Sequence, residues 1–217
     1  RKDEIALLAR TYNRMLADTK EYIRENERNQ RRQKELELKT LQYQINPHFL
    51  YNTLDSIYMM ARRSGNGEIE DMVTSLSTLF RLSLAHGRDF VTLEHEIRYI
   101  TCYLQIQRIR FPLDFTWHTT VPDELSHCRV MKFLLQPLVE NSLNHGLRNK
   151  PGGGQICVSA RREGDELILV VADDGMGMTE EQLDALLELI NRTDMEENRD
   201  PFAGGVGVRN VHQRLLL

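Results

Sequence analysis

The sequence predicts an α plus α/β protein: a long coiled-coil helix and a helical hairpin, followed by a layered α/β domain. Three observations predict it. The first 45 of the 217 residues contain neither Gly nor Pro and are rich in Glu, Lys, Arg, Gln and Leu, a composition of long helices. Apolar positions there alternate in steps of three and four, the coiled-coil period. After Phe111-Pro112 the pattern changes to short apolar runs alternating with helical segments, as in a mixed α/β domain.

The seam of the first helix runs through Ile5, Leu8, Tyr12, Met15, Thr19 and Tyr22. It turns polar at Asn26, Asn29 and Gln33, then resumes at Leu38, Leu41 and Ile45. A single helix of this length cannot bury its own stripe, so a second copy of the chain is the simplest partner. The polar middle is the loosest part of the seam and a place for a packing switch. Pro47 deletes one backbone hydrogen bond and predicts a kink. The helix is expected to continue through Phe49–Arg62, because Leu50, Leu54 and Ile57 keep the spacing. Ser64-Gly65-Asn66-Gly67 is a turn, and Ile69–Leu84 returns as an amphipathic helix. Two such hairpins would make a dimeric four-helix bundle. His86-Gly87-Arg88-Asp89 breaks the chain again. Thr92 then reads as the N-cap of a helix over Leu93–Ile109, with Glu94 and Glu96 in the first turn where the macrodipole favours them.

In the second half, strands are predicted over Phe115–Val121, Ile156–Arg162 and Glu166–Ala172. Helices are predicted over Val130–Leu147, Glu180–Asn191 and Val208–Leu217, with a domain boundary near residue 111. The net charge of −4 splits into +3 over residues 1–111 and −7 over residues 112–217. That balance argues against nucleic-acid binding, which needs a basic face. No apolar run approaches the roughly 18 residues of a membrane span, and no signal-peptide pattern opens the chain. Cys102, Cys128 and Cys157 are odd in number and widely spaced; they read as thiols of a reducing compartment, not as a disulfide framework or zinc site.

Four pieces carry chemistry. Asp173-Asp174-Gly175-Met176-Gly177-Met178 follows an apolar strand, and Gly204-Gly205-Val206-Gly207-Val208 opens the last helix. Glycines before a helix let backbone N–H groups close on a phosphate, although neither piece is a Walker or Rossmann motif and a plain turn explains each alone. The third piece is Leu138 through Gly146. On an α-helix Asn141, Asn144 and His145 would share a face, with Glu140 beside them. Their oxygens suit Mg²⁺, which takes few protein ligands. A helix-ending cap explains Asn144 to Gly146, but not the polar pair Glu140-Asn141 among Leu138, Val139 and Leu143. The fourth is Gln44 through Asn52: His48 stands one residue past the proline, and Asn52 lies one turn later on the same face.

Together and in this order, the four pieces resemble the sensor histidine kinases of the LytS/YesM type. The resemblance covers about residues 30–217. It implies a HAMP-like signalling helix over 1–30, dimerisation and phosphotransfer helices over 31–111, and a Bergerat-fold (GHKL) ATP-binding domain over 112–217 that ends short of the family's last strands. It further implies His48 as phosphoacceptor, Asn52 as the residue that positions water for the reverse reaction, and Glu140 as a catalytic carboxylate. Asn141 would be the Mg²⁺ ligand and Asp173 the acceptor of the adenine amino group. Asn144, His145, Gly175, Gly177, Gly205 and Gly207 would line the nucleotide. ATP and Mg²⁺ are the implied cofactors. A homodimer through the N-terminal helices, a response-regulator receiver domain and a membrane segment upstream of residue 1 are the implied partners and anchor, and the location is the cytoplasmic portion of a bacterial membrane protein. Residues 192–203, with Asp194, Glu196, Glu197 and Pro201, would form a lid. Three positions depart from the family pattern: Phe49 where an acidic residue often stands, Asn144 where Lys often stands, and Asp174 where Asn is common. A nucleotide-binding pseudokinase scaffold, favoured by Phe49, Asn144 and the short C-terminus, and a GHKL ATPase clamp of the same nucleotide fold are the alternatives.

Overall fold

A computed structural model describes Met15, 19–22, 25–26, 28–30, 33, 47–84, 89–111, 114–148, 150–191 and 206–216. The chain divides into two compact units, Arg1–Thr53 and Leu54–Leu217. In the first unit the described residues from Met15 to Gln33 are helical, and the Thr19 hydroxyl donates to the Met15 carbonyl one turn back at 2.7 Å. Met15 and Tyr22, both seam positions, are exposed in the single chain. The seam's apolar resumption at Leu38, Leu41 and Ile45 and the bend before Pro47 lie outside the described residues.

Helix α1, Pro47–Ser64, begins in the first unit and ends in the second. Its last turn closes where Gly65 adopts φ +69°, a left-handed conformation that costs glycine little. The Asn66 N–H reaches the Ala61 carbonyl at 3.1 Å, and the Asn66 side chain accepts from the Ile69 N–H at 3.2 Å. Asn66 thus ends one helix and caps the next, α2, Gly67–Leu84. Helix α2 packs along α3, Leu93–Arg110, and the Ser75 hydroxyl donates to the Gln105 amide oxygen across that contact. Thr92 is the N-cap of α3, as its sequence position predicts, accepting from the His95 N–H at 3.3 Å. The first two α3 donors, Leu93 and Glu94, bond the carbonyls of Cys128 and Ser126.

The main sheet has the order β2-β4-β5, from Phe115–Thr120, Gly154–Glu163 and Glu166–Asp173. β2 and β4 are parallel; β4 and β5 form an antiparallel hairpin in which Ile156 faces Asp173. Alternate residues Ile156, Val158 and Ala160 point into the core, the period-two pattern of a half-buried strand. Leu93, Ile100 and Leu104 of α3 join that same core. Helix α3 thus shares its apolar face with the sheet.

Two departures from the sequence reading follow from long-range bonds. Phe90–Thr92 (β1) and Arg129–Met131 (β3) pair antiparallel as a small second sheet, too short to show a period. The helix expected over Val130–Leu147 is broken up. Its start is β3, residues 132–135 turn, and helix proper is confined to α4, Gln136–Asn141, which continues as a π-helical segment, Ser142–Leu147. A short 3-10 helix, Asp123–Leu125, and helices α5, Glu180–Asn191, and α6, Val206–Leu215, complete the described elements. Among the described residues no helix is long and apolar enough to cross a membrane.

Leu104 is fully buried where α3 meets the sheet. Leu104→Ala should lower unfolding stability by about 2–5 kcal/mol, measured by urea denaturation of the second unit.

Candidate functional site: a backbone cradle around Asp173

The site begins where β5 ends. Asp173 is its last residue and is exposed. One carboxylate oxygen accepts from the Gly175 N–H at 3.0 Å. The chain then turns through Gly175, whose backbone lies against the π-helical segment: the Met176 N–H donates to the Gly146 carbonyl at 3.0 Å. A side chain on either glycine would meet a neighbour: the Asp173 carboxylate at Gly146, and backbone at Gly175. A Cβ on Gly146 would stand 2.5 Å from the Asp173 carboxylate, and one on Gly175 would stand 2.4 Å from the Gly146 carbonyl. Gly177, at φ +69° with open space around it, continues the turn. In sequence Gly146 reads only as a helix-ending residue. Its part in the site is a tertiary one, set by the π-helical turns in which the Arg148 N–H reaches back five residues to the Leu143 carbonyl.

Asp174 anchors the same turn to the start of β4. Its carboxylate accepts from the Gln155 N–H at 2.7 Å and pairs with the Lys150 ammonium at 3.0 Å, while the Lys150 ammonium also donates to the Asp174 carbonyl. The Gln155 N–H first, and Lys150 second, hold the Asp174 carboxyl below the usual carboxylate range. The aspartate at this position is thus accounted for by a local ion pair.

Asn141 closes α4 and is half-buried; Asn144 and His145 are exposed on the π-helical segment. The wider turn replaces the α-helical spacing of three and four that would put those three on one face. Glu140 faces α3. It accepts from the Gln136 amide at 2.8 Å, and the Tyr103 phenol is pushed up first by burial and then by the Glu140 charge. A Cβ on Gly207, inside α6, would stand 3.2 Å from the Pro137 ring, so the start of α6 rests on α4. Gly205 and residues 192–203 lie outside the described residues.

His48 and Asn52 belong to the first unit. Both are exposed one turn apart on α1, and the Asn52 amide nitrogen stands 3.3 Å from His48 Nδ1 and 3.4 Å from Nε2. The sequence reading of the pair on one face is what the structure contains.

The cradle presents a hydrogen-bond acceptor to solvent. An exposed carboxylate accepts hydrogen bonds only, one of its oxygens is already oriented by Gly175, and two bare glycine backbones leave the approach to it clear. Residues 130–217 match the histidine kinase-, DNA gyrase B- and HSP90-like ATPase family, so the C-terminal part is an ATPase domain of that class. Residues 36–115 match the histidine kinase family. Over 216 residues, all of this chain, it is 34% identical to the sensor histidine kinase YesM of Bacillus subtilis, covering 35% of that protein. The sensor histidine kinase BtsS of Escherichia coli is 41% identical over 64% of this chain and 24% of its own length. The sensor protein LytS of Staphylococcus epidermidis is 32% identical over 70% of this chain and 26% of its own. The chain is thus similar to sensor histidine kinases over its whole length, and it spans about a third or less of the curated relatives it matches.

Because the Asp174 carboxyl is held low, its stabilising contribution is present above its ordinary value near 3.8 and is lost as pH falls through the depressed folded value. The Tm difference between wild type and Asp174→Asn should be positive at pH 7 and shrink below pH about 4, followed by circular dichroism. Gly146→Ala should fold yet lose nucleotide affinity by about tenfold or more, measured with a fluorescent ATP analogue.

Proposed function

We propose that this chain is the cytoplasmic kinase portion of a bacterial membrane sensor, which phosphorylates itself on His48 from ATP and passes the group to an aspartate of a response-regulator receiver. The observation that carries the reading is the pairing of motifs. A solvent-exposed imidazole with a neighbouring amide stands in one unit, and an exposed, backbone-cradled carboxylate stands in the other. In this reading residues 1–30 form a HAMP-like relay, 31–111 the dimerisation and phosphotransfer helices, and 112–217 the ATP-binding domain. Two copies associate through the N-terminal seam and the α1–α2 hairpins. The exposed Phe49, Ile57 and Met60 of α1 supply apolar surface for that association.

Asp173 receives the adenine amino group, and Gly175, Gly177, Gly205 and Gly207 let the backbone approach the nucleotide. Asn141 holds Mg²⁺, with Asn144 and His145 at the phosphate end and Glu140 beside them as a catalytic carboxylate. Among the described residues no group of three His, Cys, Asp or Glu side chains could hold a metal, so the remaining ligands would be water and phosphate oxygens. When bound, Mg²⁺ offsets the negative charge of the phosphates. The protein's task is alignment. A ring nitrogen of His48 forms the N–P bond while the bond from the γ-phosphorus to its bridging oxygen breaks and ADP leaves. Asn52 is placed to orient water against the aspartyl phosphate of the docked regulator, the phosphatase direction. Repacking of the polar seam at Asn26, Asn29 and Gln33 is the input.

With γ-labelled ATP, the full-length protein should acquire an acid-labile, base-stable label that His48→Ala abolishes. ATP turnover that persists without label in both proteins would instead indicate an ATPase clamp. Asn52→Ala should keep autophosphorylation and slow loss of phosphate from the regulator on the order of a hundredfold; equal loss of both activities would remove the water-positioning role.

A further inference from the structure

Glu96 lies on α3, outside the four sequence motifs. Its side chain is fully buried, which an unpaired carboxylate does not tolerate. Its partners are three consecutive backbone donors 37 to 39 residues along the chain. One oxygen accepts from the Phe133 N–H at 2.7 Å; the other accepts from Leu134 at 2.9 Å and Leu135 at 3.2 Å. Those residues lead directly into α4. The N-cap of α4 is Leu135, which has no side-chain cap of its own, so Glu96 supplies the anion at that helix start from another helix. Phe133 holds φ +58° at the same turn, a conformation that a bulky residue keeps only when its surroundings impose it. Two further contacts fix the preceding residue. The Lys132 ammonium donates to the Ser83 carbonyl at the end of α2 at 2.6 Å, and Arg214 of α6 donates to the Lys132 carbonyl at 2.7 Å.

We propose that Glu96 is a positioning residue for the nucleotide site, fixing the entry of α4 and hence the placement of Asn141 and the Gly146 segment against Asp173. The stretch from α4 to Leu147 amounts to a few turns, so its direction is set at the 133–135 turn. The inference rests on the reading of the Asp173 cradle as a nucleotide site. A glutamine in place of Glu96 has one acceptor oxygen, and its amide N–H₂ would face at least one backbone N–H. The alternative is that Glu96 merely stabilises the fold, as any well-packed core residue does.

The experiment compares wild type, Glu96→Gln, Val158→Ala (a β4 core variant far in sequence from α4) and Arg214→Met by hydrogen exchange without nucleotide. A second arm measures binding of a fluorescent ATP analogue. In Glu96→Gln, peptides covering 136–147 should exchange about tenfold faster, the loss of one charged hydrogen bond, while those covering 156–172 stay within about twofold. The analogue should bind at least about fivefold more weakly, whereas Val158→Ala at matched stability should bind it as wild type does. Uniformly faster exchange in both regions of Glu96→Gln, or equal affinity loss in Val158→Ala, would overturn the proposal. Should Glu96→Gln fail to fold, Arg214→Met decides. It removes one support of the same turn and should speed exchange of 136–147 by about threefold; no change there counts against the proposal. If wild type does not bind the analogue, the nucleotide reading falls, and the exchange arm still decides whether Glu96 positions α4.

Discussion

The second unit is organised around a contact between two pieces of bare backbone. The π-helical segment presents Gly146 and the turn after β5 presents Gly175, where the Gly146 backbone leaves no space for a Cβ. With the Met176 N–H bonded to the Gly146 carbonyl, the two segments are in fixed register, and the Asp173 carboxylate is held at the surface with one oxygen already directed. A side chain at Gly175 would force the segments apart, and one at Gly146 would displace the Asp173 carboxylate. This backbone contact, more than any single side-chain bond, determines where Asp173 stands relative to α4.

The contact is supported from both ends. On the sheet side, Asp174 ties the turn to Gln155 and Lys150, so the loop after β5 is fastened to the beginning of β4 as well as to the end of β5. On the helix side, the start of α4 is fastened by Glu96 and, through Lys132, by Ser83 and Arg214. Helices α2, α3 and α6 therefore all reach the turn that precedes the Asn141 helix. A displacement of the end of α2 would be felt there, since packed elements shift between discrete arrangements and do not deform continuously.

The glycines and acidic residues that mark the site are short-range signals, and they are legible. Asp173 and Gly175 announce a turn after an apolar strand; His48 and Asn52 announce a pair one helical turn apart, and their spacing is as expected. The hairpin strands and the cap at Thr92 follow from local pattern in the same way. Residues 130–147 mislead because their apolar spacing fits a helix. What overrides that spacing is a pairing with β1 some 40 residues earlier and a carboxylate on α3. Glu96 itself reads in sequence as an ordinary first-turn acidic residue, favourable to the dipole of its own helix.

Local sequence alone determined the helical hairpin's turn at Gly65-Asn66, the three strands of the main sheet, α5, and the chemical character of the two motif clusters, because each depends on propensity, period or capping within a few residues. Tertiary structure alone decided that Gly146 lies on Asp173, that the Asn141 helix is short and continues as π turns, and that Glu96 serves another helix's start. Those outcomes arise from buried donors and acceptors that must find partners, and the partners lie tens of residues away, where no window of sequence can show them.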